Sequence, residues 1–187
     1  MKKMPSTIWL TGLSAAGKTT LAHALAEAFT AAGRACQVLD GDGVRQERCR
    51  ERGFSRADRS ENVRRVAQRS RQINEAGAWV IVALISPYRD DRERARQIVG
   101  DSTFFEVFVA TPLSVCEARD PKGLYRKARA GEIANMTGID DPYEAPSSPE
   151  LRLDTGVQSL AECVEAAMRM LNRDSRVETS CSVQLRS

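Results

Sequence analysis

The sequence predicts an α/β fold in which helices cover both faces of a parallel five-stranded sheet. Short apolar segments alternate along the chain with stretches of helical periodicity, an order typical of parallel strands joined by right-handed crossovers. Residues 80–85 (Val-Ile-Val-Ala-Leu-Ile) are apolar without interruption, which indicates a strand buried on both faces. The chain of 187 residues is long enough for one domain with a sizeable core.

The individual elements follow from apolar runs, periodicity and capping signals. We predict strands over residues 7–13, 35–39, 79–85, 104–109 and 151–153, and helices over residues 18–32, 55–76, 90–99, 113–119 and 160–172. The second helix begins with Ser-Arg-Ala-Asp at 55–58, the spacing of a capping box. Its apolar stripe leaves Arg59 and Asn62 on a separate face.

We expect one domain over residues 1–172, followed by a disordered tail at 173–187. The tail has few apolar residues and no clear periodicity. Between about 120 and 149 the composition changes to basic residues, then glycines, then prolines. A short helical piece followed by a long irregular segment predicts a lid over the ligand site.

Composition and charge exclude several classes of protein. Lys and Arg (28) nearly balance Asp and Glu (25), and both signs are interspersed, so the charge balance suits a small anionic substrate and neither demands nor excludes nucleic acid. We expect small-molecule substrates and no nucleic-acid partner. The sequence has no apolar run of about 18 residues and no leader-like start, so we expect a cytoplasmic protein without a membrane partner. Its five cysteines are widely spaced without a Cys-x-x-Cys pair, which favours reduced thiols over a zinc site or disulfides.

The strongest motif lies between the first strand and the first helix. It matches Gly-x-x-x-x-Gly-Lys-Ser/Thr in full and consists of Gly12, Leu13, Ser14, Ala15, Ala16, Gly17, Lys18 and Thr19. The glycines allow backbone amides and the helix N-terminus to face phosphates. Lys18 is expected to contact the β- and γ-phosphates of ATP and Thr19 to bind Mg²⁺. The guanine-reading Asn-Lys-x-Asp pattern and a long acidic Walker B strand are absent from the sequence, so a small-molecule kinase is favoured.

Three further groups of residues are expected near this loop, each with a plainer alternative. Asp40 and Asp42 follow the second strand and could hold Mg²⁺ or accept a proton, or the segment could be an Asp-Gly turn. Ser86 follows the third strand and could bind a substrate, or Pro87 could simply end the strand. Residues 122, 126 and 129 are basic and would share one helical face, which could close over a phosphoanion or merely be solvated.

Taken together and in order, the motifs resemble the adenylyl-sulfate kinase family from about residue 8 to about residue 171. They are the loop at 12–19, Asp40-Gly41-Asp42-x-Val44-Arg45, Gly53-Phe54-Ser55-x-x-Asp58-Arg59-x-x-Asn62, Ile85-Ser86-Pro87-Tyr88-Arg89, Arg119-Asp120-x-Lys122-Gly123-Leu124-Tyr125, and Thr137-Gly138-Ile139-Asp140-x-Pro142-Tyr143-Glu144. The resemblance implies a P-loop NTPase fold. It also implies transfer of the ATP γ-phosphoryl group to the 3′-hydroxyl of adenylyl sulfate in sulfate assimilation.

The resemblance also implies roles for individual residues and for partners. Asp42 would orient or deprotonate the hydroxyl with Asp40 in support, and Mg²⁺ would lie near Thr19, Asp40 and Asp42. The residues implied to bind adenylyl sulfate are Asp42, Arg45, Phe54 (stacking on adenine), Arg59, Asn62, Ile85, Ser86, Lys122, Met136 and Thr137. A homodimer is expected, and contact with sulfate adenylyltransferase is a further hypothesis.

Three points qualify this interpretation. Accounts of the family also assign the serine matching Ser86 as a phosphorylated intermediate, but phosphoryl transfer needs positioning and charge neutralisation, so we interpret Ser86 as a substrate ligand. Gly43 replaces the usual Asn, and Met136 replaces the usual Phe. Because Met recovers only part of an aromatic stacking contact, we expect weaker binding of adenylyl sulfate, or weaker inhibition by it.

Two alternative functions remain at this point. Another P-loop kinase of a sugar or nucleoside hydroxyl would keep the loop but lack the Phe54, Arg59 and Asn62 pattern. A catalytically silent nucleotide-binding partner of sulfate adenylyltransferase would not require Lys18 and Asp42 to be intact.

Overall fold

The computed structural model describes residues 4–41 and 55–181 of the chain. Within these ranges five parallel strands form one sheet. They are β1 (Thr7–Thr11), β2 (Cys36–Asp40), β3 (Trp79–Ala83), β4 (Phe104–Val109) and β5 (Leu151–Leu153). The strand order is β2-β3-β1-β4-β5. The predicted fold class is confirmed, and β1 lies at the centre of the sheet.

Helices cover both faces of this sheet, as the apolar strands require. They are α1 (Lys18–Ala31), α2 (Arg56–Glu75), α3 (Arg89–Val99), α4 (Leu113–Arg119), α5 (Leu124–Arg129) and α6 (Leu160–Cys181). The helix α1 packs with α6, and α2 packs with α3. In β1, Ile8 and Leu10 are buried in the cluster beneath α1 and α6, whereas Trp9 is buried in the cluster beneath α2 and α3. Residues on both sides of each strand thus remove apolar surface from water.

Most predicted elements are found within a few residues of their expected ends. The bounds of β4, β5 and α4 are as predicted. The Ser55 hydroxyl accepts a hydrogen bond from the Asp58 amide at 3.2 Å, so the predicted cap of α2 is confirmed. The backbone of α6 continues to Cys181, past the predicted end at residue 172.

One prediction about the lid segment is wrong. Lys122 was expected to share a helical face with Arg126 and Arg129, but α5 begins only at Leu124. Gly123 adopts a left-handed conformation (φ 66°) at the N-cap and separates Lys122 from the helix. Lys122 therefore lies in the turn that precedes α5.

The topology brings the chemistry to one edge of the sheet. Because all strands are parallel, the loops after β1, β2 and β3 leave the same edge, where open α/β sheets bind ligands.

In the part of the chain that the structure describes, no helix is both long and apolar enough to cross a membrane.

Candidate active site

A cleft of about 680 Å³ opens at the carboxyl edge of the sheet between two walls. The loop wall consists of residues 12–19 and the segment from Arg119 to Lys122. The helix wall consists of Arg59 and Asn62 of α2 and residues 84–87 after β3. Among the described residues lining the cleft are Ser14, Gly17, Lys18, Thr19, Asp40, Arg59, Asn62, Ile85, Ser86, Arg119, Lys122 and Thr155. The structure thus brings the predicted phosphate loop and part of the predicted acceptor site together.

The loop after β1 has a backbone that its glycines make possible. Gly12 has φ 151°, and a Cβ there would lie 2.4 Å from the Val109 carbonyl oxygen. Gly17 has φ 92° and packs against Thr155. Lys18 is buried, and its Nζ donates hydrogen bonds to the carbonyls of Gly12 (3.0 Å) and Leu13 (2.6 Å). The lysine therefore lies within the loop, where its charge can neutralise bound phosphates.

Side chains from distant parts of the chain support the loop from outside. The Thr155 hydroxyl, which follows β5, donates to the Ala16 carbonyl (2.9 Å) and accepts from Arg119 Nη1 (2.8 Å). The buried Tyr125 of α5 donates its hydroxyl to the Ser14 carbonyl (3.0 Å). Our reading of the sequence assigned no role to Thr155 or Tyr125, and no local signal marks Thr155.

The helix wall follows from the spacing of α2. Arg59 and Asn62 are three positions apart and so share one face of the helix, while Val63 and Val66 bury the neighbouring stripe. The Arg59 side chain is only 8% exposed. Its Nη1 donates to the Thr137 hydroxyl (2.7 Å), and its Nη2 donates to the Asn135 carbonyl. A buried arginine is thus fixed beside the cleft by the segment that follows α5.

The hydroxyl of Ser86 points into the protein. It accepts a hydrogen bond from Trp9 Nε1 (3.1 Å) and donates to Thr11 Oγ1 (3.1 Å), and Ser86 is 3% exposed. Its backbone is left-handed, with φ 40°. Ile85 and Ser86 both line the cleft. The side chain therefore fixes the turn after β3, which forms part of the helix wall.

Arg92 of α3 connects this turn to the segment after α5. It is 2% exposed and donates to the Glu106 carboxylate (2.7 Å), the Ser86 carbonyl (2.7 Å) and the Glu144 carbonyl (2.6 Å). We assigned it no role from the sequence, although a signal exists. It lies on the same stripe as Ala95 and Val99, and an arginine on an apolar stripe indicates a buried, paired charge.

The remaining candidates differ in where they lie. Asp42, Gly43, Arg45 and Phe54 fall outside the described residues. Met136 is 8% exposed and belongs to the core cluster beneath α1 and α6. Neither Met136 nor Thr137 is among the described residues lining the cleft. The expected stacking of Met136 on adenine stays a prediction.

A magnesium ion has suitable donors in this cleft. The Thr19 hydroxyl and the Asp40 carboxylate both line it, and hydroxyl and carboxylate oxygens are the ligands that Mg²⁺ prefers beside nucleotide phosphates. Only a few protein oxygens are needed, because substrate phosphates and water supply the rest of the octahedral shell. The donor set therefore fits the ion.

Comparisons with known proteins agree with this geometry. The family model described as adenylylsulphate kinase matches residues 4–154. An adenylyl-sulfate kinase of Synechococcus sp. (strain JA-3-3Ab) is 54% identical over 165 residues, which cover 88% of this chain and 93% of the relative.

Two solved structures are informative. The Mycobacterium tuberculosis APS kinase in complex with AMPPNP and APS superimposes with a TM-score of 0.87 at 43% identity, covering 91% of this chain and 99% of that one. A hexameric APS kinase from Thiobacillus denitrificans superimposes with a TM-score of 0.68 at 34% identity, covering 90% of this chain and 29% of that one.

Proposed function

The chain belongs to the adenylyl-sulfate kinase family and functions as an adenylyl-sulfate kinase, and we propose how its residues carry out the reaction. The enzyme is a phosphotransferase with an alcohol group as acceptor. The observation that carries the assignment of residues is the cleft itself, which is lined by Lys18 on the loop wall and by Arg59 and Asn62 on the helix wall. ATP would occupy the loop wall, and adenylyl sulfate the helix wall.

The loop wall holds the phosphates of ATP. Backbone amides of residues 12–19 and the N-terminus of α1 would face the phosphate oxygens, and Lys18 would leave its contacts with Gly12 and Leu13 to reach the β- and γ-phosphates. Magnesium would be held by Thr19, with Asp40 and Asp42 near. When bound, it would neutralise negative charge on the phosphates of ATP.

The helix wall presents the acceptor hydroxyl. Arg59 of this wall and Lys122 of the facing loop wall line the cleft and supply positive charge for the anionic phosphosulfate group, and Asn62 supplies neutral hydrogen bonds. Asp42 accepts the proton of the 3′-hydroxyl of adenylyl sulfate while the oxygen of that hydroxyl forms a bond to the γ-phosphorus of ATP. The bond between the γ-phosphorus and the bridging oxygen then breaks, ADP leaves, and 3′-phosphoadenylyl sulfate is formed.

Ser86 acts in this scheme through the turn that it holds. Both of its hydroxyl hydrogen bonds are made within the protein, to Trp9 and Thr11, which supports a positioning role rather than a phosphorylated intermediate. A covalent phosphoserine would require the side chain to rotate out of this buried position. A positioning role needs no such movement of Ser86.

The function is tested by measuring ADP release with Mg-ATP, in the presence and absence of adenylyl sulfate, and by identifying the product by mass. We expect release to depend on adenylyl sulfate and the product to be 3′-phosphoadenylyl sulfate. Asp42→Ala should lower kcat by about 10²- to 10⁴-fold. ADP release that ignores adenylyl sulfate would contradict the proposed function, and an unchanged kcat in the variant would contradict the role of Asp42.

Assembly and location are further proposals. We propose a homodimer, and the hexameric APS kinase of Thiobacillus denitrificans supports self-assembly within the family. Light scattering on the purified chain would measure its mass directly. We also propose a cytoplasmic location, supported by the use of ATP as substrate, and contact with sulfate adenylyltransferase stays a prediction that a pull-down between the purified proteins would test.

A further inference from the structure

The turn formed by residues 135–141, here called the clamp turn, is hydrogen-bonded to Arg59 of the helix wall. Thr137 is 1% exposed, and its hydroxyl accepts the hydrogen bond from Arg59 Nη1 at 2.7 Å. The same hydroxyl donates to Asp141 Oδ2 at 3.4 Å. A hydroxyl has a single hydrogen to donate, so the direction of this chain is fixed from guanidinium to hydroxyl to carboxylate.

The Asp141 carboxylate has a second partner from the sheet edge. Tyr88, two residues after Ser86, donates its hydroxyl to both carboxylate oxygens at 3.0 and 3.1 Å. The guanidinium of Arg56 lies 4.4 Å from the centroid of the Tyr88 ring. The Asp141 carboxylate therefore connects the clamp turn to the turn after β3, and the turn after β3 lines the cleft.

From these contacts we propose that Asp141, acting through Thr137, is a positioning residue for Arg59 and hence sets the affinity for adenylyl sulfate. The inference rests on the proposed role of Arg59 in binding that substrate. A guanidinium has five N–H donors in a planar fork, and two are directed at Thr137 and Asn135. Fixing those two orients the plane of the fork, and with it the donors that can face the cleft.

The connection between Asp141 and Arg59 can be broken at Thr137. Asp141 influences the guanidinium through the Thr137 hydroxyl, which accepts from Arg59 and donates to Asp141. Replacing Thr137 by Val should therefore break the connection while keeping the side-chain shape, whereas Thr137→Ser should preserve it. Such rescue by the conservative variant would not be expected if Thr137 only filled space.

The clamp turn contains a matched control. The neighbouring Asp140 carboxylate accepts hydrogen bonds from the backbone amides of Asn135 (2.6 Å) and Met136 (2.5 Å). These hydrogen bonds shape the turn, and neither of them involves Thr137 or Tyr88. Asp140→Asn and Asp141→Asn are thus the same chemical change at adjacent positions, with different connections to Arg59.

The experiment measures KM for adenylyl sulfate, KM for ATP and kcat for each variant. We expect Asp141→Asn and Thr137→Val to raise KM for adenylyl sulfate by about 10-fold, with KM for ATP and kcat changed less than about 3-fold. Thr137→Ser keeps the hydroxyl and should bring KM for adenylyl sulfate back from the Thr137→Val value toward that of the parent enzyme. In an Arg59→Ala background, Asp141→Asn should add little, because its target is gone.

Each other outcome has a definite meaning. If Arg59→Ala leaves KM for adenylyl sulfate unchanged, the proposed function of Arg59 fails. If Arg59→Ala raises it but Asp141→Asn does not, only the present inference fails. If Asp140→Asn has the same effect as Asp141→Asn, the effect belongs to the shape of the turn, and the proposal that Asp141 acts through Thr137 is overturned.

Discussion

The two walls of the cleft are built in different ways. The main part of the loop wall, residues 12–19, is a continuous stretch of chain whose backbone has Gly12 and Gly17 at positive φ, with Thr155 and Tyr125 supporting it from outside. The helix wall is assembled from α2 and the turn after β3, and the side chains of Arg59 and Arg92 join it to the segment after α5. The loop at 12–19 is thus mainly a local structure, and the helix wall is a tertiary one.

This difference predicts different responses to mutation. A local backbone structure should tolerate loss of a side-chain charge but not the addition of a Cβ, because its geometry depends on positive φ angles. A structure assembled from buried side-chain hydrogen bonds should lose stability when one partner is removed. The following changes test that contrast, beginning with the one that should have the largest effect when each effect is expressed as a change in free energy.

Removing Arg92 should have the largest effect on stability. Arg92→Met leaves the carboxylate of Glu106, which is 12% exposed, without the partner 2.7 Å away, and removes the donor to Ser86 and Glu144. Breaking a buried ion pair from one side costs about 3–5 kcal/mol. Denaturant unfolding measures the change, and ATP binding to the remaining folded protein should be affected less than binding of adenylyl sulfate.

An exposed ion pair supplies the control. Arg71 and Glu75 lie on the surface of α2 with side chains 59% and 61% exposed. Arg71→Met should change the free energy of unfolding by less than about 0.5 kcal/mol. A cost for Arg92→Met as small as this would show that the helix wall does not depend on its buried side chains.

Removing the charge of Lys18 should affect catalysis more than folding. Lys18→Ala removes a cation directed at the transferred phosphoryl group, and loss of one such stabilising group costs about 10²- to 10³-fold in kcat. Two of its hydrogen bonds are to backbone carbonyls of its own loop, and we expect the melting temperature to change less than kcat. A large loss of stability without a loss of kcat would reverse the contrast between the walls.

The sequence predicted the two walls unequally for the same physical reason. The loop at 12–19 was recognisable because its spacing is a property of adjacent residues. Arg92 and Glu144 are 52 positions apart, and Arg59 and Thr137 are 78 apart, so their contacts depend on how separate elements pack. Family resemblance pointed to Arg59 and Thr137, but it gave no indication that the two are hydrogen-bonded.

Adding a methyl group to the loop at 12–19 should have the next largest effect on the free energy of unfolding. Gly12→Ala places a Cβ 2.4 Å from the Val109 carbonyl oxygen at φ 151°. Strained backbone of this kind costs about 1–3 kcal/mol, and the displaced carbonyl adds to it. Gly33 is a matched control, because it also has positive φ (67°) but nothing within 4 Å of the added Cβ. Gly33→Ala should cost about 1 kcal/mol in unfolding experiments and leave ATP binding unchanged. Equal costs for the two variants would mean that the close approach to Val109 is unimportant.

The smallest effect concerns the place where the two walls meet. Tyr143 shares a hydrogen bond of 2.9 Å with Thr11, the last residue of β1 before the loop, and its ring stacks on Phe108. Tyr143→Phe keeps the ring and removes the hydrogen bond, so it should cost about 1 kcal/mol at neutral pH.

The pH dependence of the stability lost in Tyr143→Phe shows whether the buried phenol is the source of that loss. Burial raises the pKa of Tyr143 to about 12, against about 10 for an unfolded tyrosine. The folded protein therefore favours the neutral phenol, and its contribution to stability is complete below pH 10 and is lost as the pH rises toward 12. Between pH 9 and 11.5, the free energy of unfolding should decline less steeply with pH for Tyr143→Phe than for the parent. Part of the decline that remains in the variant should come from Tyr88 and Tyr125, because burial raises their pKa values as well. If the two pH profiles are parallel, the phenol does not titrate from a buried position, and the junction between the walls is more open to water than its contacts indicate.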